Sequence, residues 1–105
     1  MAHVLFVAIT WDETKNLANQ KEQGISFEEA SVLFTSGVDA QVRFDGAHSD
    51  DEDRWVTVGP IARGVISVVY TERGADGEET RIISARAATK EEINEYRQYL
   101  EGEWK

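Results

Sequence analysis

Three segments between Arg54 and Arg86 read RWVTVGP (Arg54 to Pro60), VISVVYTER (Val65 to Arg73) and TRIISAR (Thr80 to Arg86). Each is rich in β-branched residues, and short turn-forming stretches join them: Ala62-Arg63-Gly64 and Gly74 to Glu79. That pattern predicts strands paired as antiparallel hairpins. The same segments keep placing arginine among apolar residues. Arginine is permanently charged and offers a rigid fork of donors that matches phosphate, so a sheet carrying several of them points to an anionic ligand.

The rest of the chain opposes that local charge. The net charge is −9 over 105 residues. Three basic side chains stand against eleven acidic ones up to Asp53, and eight against nine from Arg54 onward. Acid therefore gathers in the first half and arginine in the sheet half. A surface this acidic binds bulk nucleic acid poorly, because phosphate neutralisation is the usual driving force. Contact with RNA has to be local and weak, and a cationic protein partner becomes plausible. The length fits a single domain spanning residues 1–105, and the apolar content of 41% is that of a globular core. With no cysteine, disulfides and thiolate metal sites are excluded, which is compatible with the cytoplasm. The run Val4 to Ile9 is too short for a bilayer and has no basic flank. It reads as a buried strand, neither signal peptide nor membrane anchor.

Helical signals occupy both ends. Asp12 to Gln23 carries good helix formers and stops at Gly24, the residue expected just past a helix end. Ser26-Phe27-Glu28-Glu29 has the form of a capping box, opening a second helix that runs to about Ser36 with Phe27, Ala30, Leu33 and Phe34 as its buried stripe. A strand follows at Gln41 to Phe44, then the acidic loop Asp45 to Asp53. Thr89 and Glu92 form a second capping box for a last helix, Lys90 to about Glu101, with Ile93, Tyr96 and Leu100 at helical spacing. The order β-α-α-β-β-β-β-α predicts an α+β domain: an antiparallel sheet packed against two N-terminal helices and a C-terminal helix.

No phosphate-binding glycine loop, hydrolase triad or zinc spacing is present, and His3 and His48 are too far apart for an obvious metal pair. Asp50, Asp51 and Glu52 offer carboxylates to a hard cation but lack the alternation of an EF-hand. The cationic set is the stronger constellation. Strict alternation on the last strand puts Ile82, Ser84 and Arg86 on one face and Arg81, Ile83 and Ala85 on the other; on Val65 to Arg73 it groups Val69, Thr71 and Arg73. Arginines and hydroxyls on one rim would seat a phosphodiester and stabilise charge building up on it. His48 and Glu52, just ahead of Arg54, supply residue types suited to general base and acid. Lys21 near the end of the first helix is a further cation that could face the sheet. Trp11, Trp55 and Trp104 are residue types that stack on bases or close a core.

The motifs taken in order resemble a known family. Trp11-Asp12-Glu13-Thr14-Lys15 with Asn19, then Gly24-Ile25-Ser26-Phe27-Glu28-Glu29-Ala30, is similar to the opening of BrnT proteins. So are His48-Ser49 with Glu52 and Arg54, Gly59, and Thr71-Glu72-Arg73. Arg81-Ile82-Ile83-Ser84-Ala85-Arg86 with Ala88-Thr89 resembles the family's most distinctive segment, leading into a helix that bears Glu92 and Tyr96. The resemblance implies a RelE-like fold and a ribonuclease toxin of a type II toxin–antitoxin system. It implies RNA cleavage by attack of the ribose 2′-hydroxyl on its own phosphate, with no metal and no cofactor. The implied partner is a BrnA-type antitoxin with a ribbon-helix-helix domain, so DNA is met only through that partner. Carried onto this chain, the positions of interest are Lys21, His48, Glu52, Arg54, Arg73, Arg81 and Arg86.

One departure stands out. BrnT proteins usually carry Lys-His immediately before the glycine, where this chain has Glu22-Gln23. Gln23 exchanges no proton near neutral pH, and Glu22 reverses a charge. The alternative reading it raises is a catalytically silent module that keeps the fold and grips a cationic protein.

Overall fold

The structure, a computed structural model, describes residues 8–46 and 52–102. These form, in chain order, β1 (Ala8–Thr10), α1 (Glu13–Gln23), α2 (Phe27–Ala30), α3 (Val32–Thr35), β2 (Gln41–Phe44), β3 (Trp55–Ile61), β4 (Gly64–Arg73), β5 (Glu79–Ala87) and α4 (Lys90–Gly102). The strands make one five-stranded sheet in the order β1-β5-β4-β3-β2. Of the opening run, only Ala8 and Ile9 lie within the described residues.

Local chemistry accounts for the helix limits. Asp12 caps α1 by accepting from the amides of Thr14 and Lys15, and Gly24 ends it at φ +71°, a left-handed conformation that suits glycine. The Ser26/Glu29 capping box is present. The helix expected from Phe27 to Ser36 is divided at Ser31. The Ser31 hydroxyl donates to the Glu28 carbonyl at 2.6 Å, engaging the acceptor that an unbroken helix would offer to the Val32 amide. Phe27, Ala30 and Leu33 are nevertheless buried, with Phe34 packed against them.

The sheet is mixed, where an antiparallel one was expected. β2, β3, β4 and β5 pair antiparallel, but β1 lies parallel to β5, with Ala8 opposite Glu79 and Thr10 opposite Arg81. An alternating strand pattern says which face is buried and nothing about the direction of the neighbouring strand, so this pairing was not readable from residues 4–9. The β1 edge is fixed further by the Thr10 hydroxyl donating to Glu79 at 2.8 Å.

Each face of the sheet is covered differently. On one, Ile66, Val68, Ile82 and Ala85 pack against Ile25, Phe27, Ala30 and Leu33. Gly59 belongs here: a Cβ at that position would lie 3.0 Å from the Ala40 Cβ and 3.1 Å from the Leu33 Cδ2, so the close approach of the α3–β2 connection favours glycine. On the other face, Val56 and Val58 pack against Tyr96 of α4, with Val65, Val69 and Leu100 around them. Tyr96 and Tyr99 both donate hydroxyl bonds to Asp39, to its carbonyl and its carboxylate respectively, tying α4 to the chain before β2.

Beyond β1, the free edge of β5 is closed by a side chain. The Asn19 amide donates to the carbonyls of Ile25 (2.8 Å) and Ala85 (2.9 Å), and its oxygen accepts from the Ala85 amide (3.1 Å). Asn19 thus stands in for a strand partner in a buried position. Replacing it with alanine leaves these buried backbone groups without partners and should cost roughly 2–4 kcal/mol. The expected readout is a lower denaturant midpoint at unchanged m-value. A midpoint equal to that of the parent chain would contradict this role.

Candidate functional site: an arginine-lined cavity on the sheet

On β5 an extra residue changes which side chains share a face. Val69 pairs with Ser84, but the next residue, Tyr70, pairs with Ile82, so Ile83 is bulged out of register. Cross-strand partners lie on the same face. Ile82 and Ala85, opposite Tyr70 and Val68, therefore both enter the helix-covered core, while Ser84 and Arg86, opposite Val69 and Ser67, lie on the α4 side. This corrects the grouping expected from strict alternation. Ile82 does not accompany Ser84 and Arg86, and by register Arg81, opposite Thr71, lies on the Arg86 side of the sheet.

Where α4 leaves that face uncovered, a cavity of about 630 Å³ opens. Arg43 and Phe44 of β2, Asp45 and Gly46 beyond it, Arg54, Val56 of β3, Ser67 and Val69 of β4, and Ile83, Ser84 and Arg86 of β5 line it. Among the described residues, three guanidinium groups and two hydroxyl-bearing residues thus meet one lining carboxylate in a chain of charge −9. Phe44 stands at the rim, half exposed, its ring edge-to-face with Trp55 at 5.2 Å.

One internal carboxylate organises two of the arginines. Glu92 accepts from Arg86 through both oxygens, Oε1 from Nη1 at 2.6 Å and Oε2 from Nη2 at 3.0 Å. Oε2 also accepts from Arg43 Nη2 at 3.2 Å, and Oε1 from the Thr89 amide at 2.9 Å. The last bond, with the Glu92 amide donating to the Thr89 hydroxyl at 3.1 Å, completes the expected capping box of α4. Arg43 holds Glu95 as well, at 3.3 Å. The hydrogen bond from Arg86 brings the Glu92 carboxyl down to about 2, against the upward push of burial, and the Thr89 amide helps. The same contact raises Arg86 above its ordinary value. Glu92 is therefore held in its ionised form at neutral pH.

The positions nominated from the sequence divide as follows. Arg54 and Arg86 line the cavity. Arg73 pairs with Glu52 at 3.4 Å and Arg81 is half buried on β5, neither on the cavity wall. Lys21 is exposed on α1 and also off that wall. His48, Asp50 and Asp51 lie outside the described residues. Among the described residues no group of three or more His, Asp or Glu side chains is placed to hold a metal. Trp11 packs edge-on against Phe27, and Trp55 against Phe44, while Trp104 lies outside the described residues. Sequence reasoning missed Arg43 and the second role of Glu92. The alternation of Gln41-Val42-Arg43-Phe44 did set Arg43 apart from its apolar neighbours, but not which strand it would join. Gln23, where the resemblance led to the expectation of a histidine, lines a separate cavity of about 190 Å³ with Ile25, Ile61, Arg63 and Ile66.

The fold and the cavity define a small α+β protein that gathers guanidinium groups on the open part of a sheet face. The sequence family described as the ribonuclease toxin, BrnT, of type II toxin–antitoxin systems matches residues 11–92, and the chain belongs to that family. Among solved structures it is similar to the Brucella abortus ribonuclease toxin BrnT, crystallised at 1.1 Å resolution. The two share 27% identity over 80% of this chain and 99% of that one, with a TM-score of 0.62. None of the curated proteins compared matches this chain. Among the described residues no helix is long and apolar enough to cross a membrane.

The Glu92 ion pairs carry a pH signature. A carboxylate lowered from 4.5 to about 2 in the folded state contributes stability that is complete above pH 4.5 and is lost as pH falls toward 2. Denaturant midpoints measured across that window should fall more steeply for the parent chain than for Glu92→Gln. Parallel profiles would remove Glu92 from the acid response.

Proposed function

We propose that this chain is an active ribonuclease toxin that cleaves single-stranded RNA at the arginine cavity, and that a BrnA-type ribbon-helix-helix antitoxin silences it in the cytoplasm. The observation that carries the reading is the grouping of Arg43, Arg54 and Arg86 on one cavity wall of an acidic chain belonging to a family of ribonuclease toxins. A cavity with this charge accepts a phosphodiester, while the acidic remainder repels further backbone, so recognition stays local. The RelE-like label expresses the same expectation of a small sheet-borne ribonuclease without metal.

In the proposed reaction a base removes the proton of the ribose 2′-hydroxyl, and the 2′-oxygen attacks the adjacent phosphorus. The bond from phosphorus to the 5′-oxygen breaks, and an acid returns a proton to that leaving oxygen. The products are a 2′,3′-cyclic phosphate and a 5′-hydroxyl end. Guanidinium groups act on the charge that builds on the non-bridging oxygens, where fixed donors contribute most. His48 and Glu52, which precede Arg54 in the sequence, are the proposed acid–base residues. Arg73 and Arg81 are assigned to the neighbouring backbone phosphates, and Lys21 to none.

The Glu22-Gln23 departure takes no guanidinium from this group, since Gln23 lies at the other cavity. It therefore gives the silent-module reading no support at the arginines. The expected result is cleavage of a fluorogenic single-stranded RNA that persists in excess chelator and yields a cyclic phosphate end. Arg54→Gln and Arg86→Gln should each reduce kcat roughly 10²–10³-fold. Metal-dependent cleavage, 5′-phosphate products, or unchanged kcat in both variants would overturn the proposal.

A further inference from the structure

Glu92 is the buried acid that the proposed reaction leaves unused, and its position explains more than a helix cap. Its side chain is 8% exposed, while those of Arg86 and Arg43 are 45% and 47% exposed. The Arg86 guanidinium thus backs onto a buried anion, and Arg43 is held between that anion and Glu95, while both residues line the cavity. A carboxylate has about four lone-pair sites, and Glu92 fills all of them with Arg86 twice, Arg43 once and the Thr89 amide once. Arg86 gives its Nη1 hydrogens to Glu92 and to the Ala87 carbonyl (3.2 Å) and one Nη2 hydrogen to Glu92. Its Nε–H and second Nη2 hydrogen lie outside these bonds. Two-point contact fixes the plane of a guanidinium in a way that a single point charge does not.

We infer that Glu92 is the positioning residue of the site: it sets Arg86 and Arg43 at a fixed separation and orientation, so that both present donors to one phosphate. This rests on the ribonuclease reading for its kinetic consequence. The geometry also separates it from a simple charge effect. Glu92 puts a negative charge behind a phosphate site, so on Coulomb grounds alone removing it should tighten anion binding and speed cleavage. A positioning role predicts the opposite for the chemical step, because a misplacement of about 1 Å can cost on the order of 10²-fold.

The test compares the full chain with Glu92→Gln, Glu92→Asp and Thr89→Ala. Glutamine keeps an acceptor for the Thr89 amide, and so the cap, while losing the charge-assisted clamp. On fluorogenic RNA, Glu92→Gln should lower kcat about 100-fold with KM unchanged or lower. Glu92→Asp, which keeps the charge but withdraws it by one methylene, should fall between that variant and the parent. Thr89→Ala should lower the thermal midpoint without lowering kcat. In parallel, the arginine Nε–Hε NMR signals are followed during titration with a non-cleavable 2′-O-methyl RNA oligonucleotide. In the parent chain the Arg43 and Arg86 signals should shift together at one half-saturation, and in Glu92→Gln they should shift separately.

Unchanged or raised kcat in Glu92→Gln, equal losses in Thr89→Ala and Glu92→Gln, or identical titrations of parent and Glu92→Gln would each overturn the inference. A parent chain that cleaves no RNA but shows the joint shift, split in Glu92→Gln, would sink the ribonuclease reading and leave the clamp standing.

Discussion

The bulge at Ile83 is the constraint on which the site depends. β5 has to serve two environments: a dry core under the helices, and an open face that must hold charge. With strict alternation the residue that buries Ile82 would bury Arg86 as well, four positions on, and a guanidinium without partners in that core is prohibitively costly. One extra residue shifts the phase. Ile82 and Ala85 then both enter the core, at 1% exposure each, while Ser84 and Arg86 reach the other side. The arginine cavity and the hydrophobic core are thus two readings of the same strand on either side of one irregularity.

Electrostatics then decides how the arginines are held. Twenty acidic side chains are available, yet Arg86 and Arg43 converge on a single one. Glu92 sits at the third position of α4, where a carboxylate also satisfies amides at the helix start. Helix start and cation pair are therefore coupled through one side chain. Arg63, by contrast, is engaged elsewhere, bonding the Gly24 carbonyl at 2.6 Å and Glu29 at 2.9 Å, where it ties the β3–β4 hairpin to the turn between α1 and α2. The chain uses the same residue type as a structural tie at one end of the sheet and as a cavity wall elsewhere.

What was legible in the sequence was local. Both capping boxes, the glycine stop of α1 and the limits of β3, β4 and β5 to within a residue follow from spacing and turn chemistry. What was not legible required partners distant along the chain. Nothing in Ala8 to Thr10 specifies a parallel place beside β5, and nothing in TRIISAR distinguishes a bulge from regular alternation, because Ile82 and Ile83 are chemically the same. Arg43 went unnoticed for a related reason: a lone arginine on a four-residue strand gains meaning only when β2 pairs with β3 and brings it to Val56. The Ser31 break is the exception, a local effect hidden by an otherwise continuous helical pattern.

The departure at Glu22-Gln23 takes on a different meaning once placed. In sequence it stands beside Lys21 and suggests loss of a proton-transfer pair from a phosphate site. In the fold, Gln23 shares its cavity with Ile25, Ile61 and Ile66, apolar neighbours that offer no anion-binding group beyond Arg63, which already holds the Gly24 carbonyl and Glu29. The wall that gathers guanidinium groups is the other one, and every arginine there is supplied by β2, β5 or the approach to β3. If chemistry resides where guanidinium groups gather on one wall, the arginine cavity is the place for it, and a change at Gln23 leaves the arginines of that cavity in position.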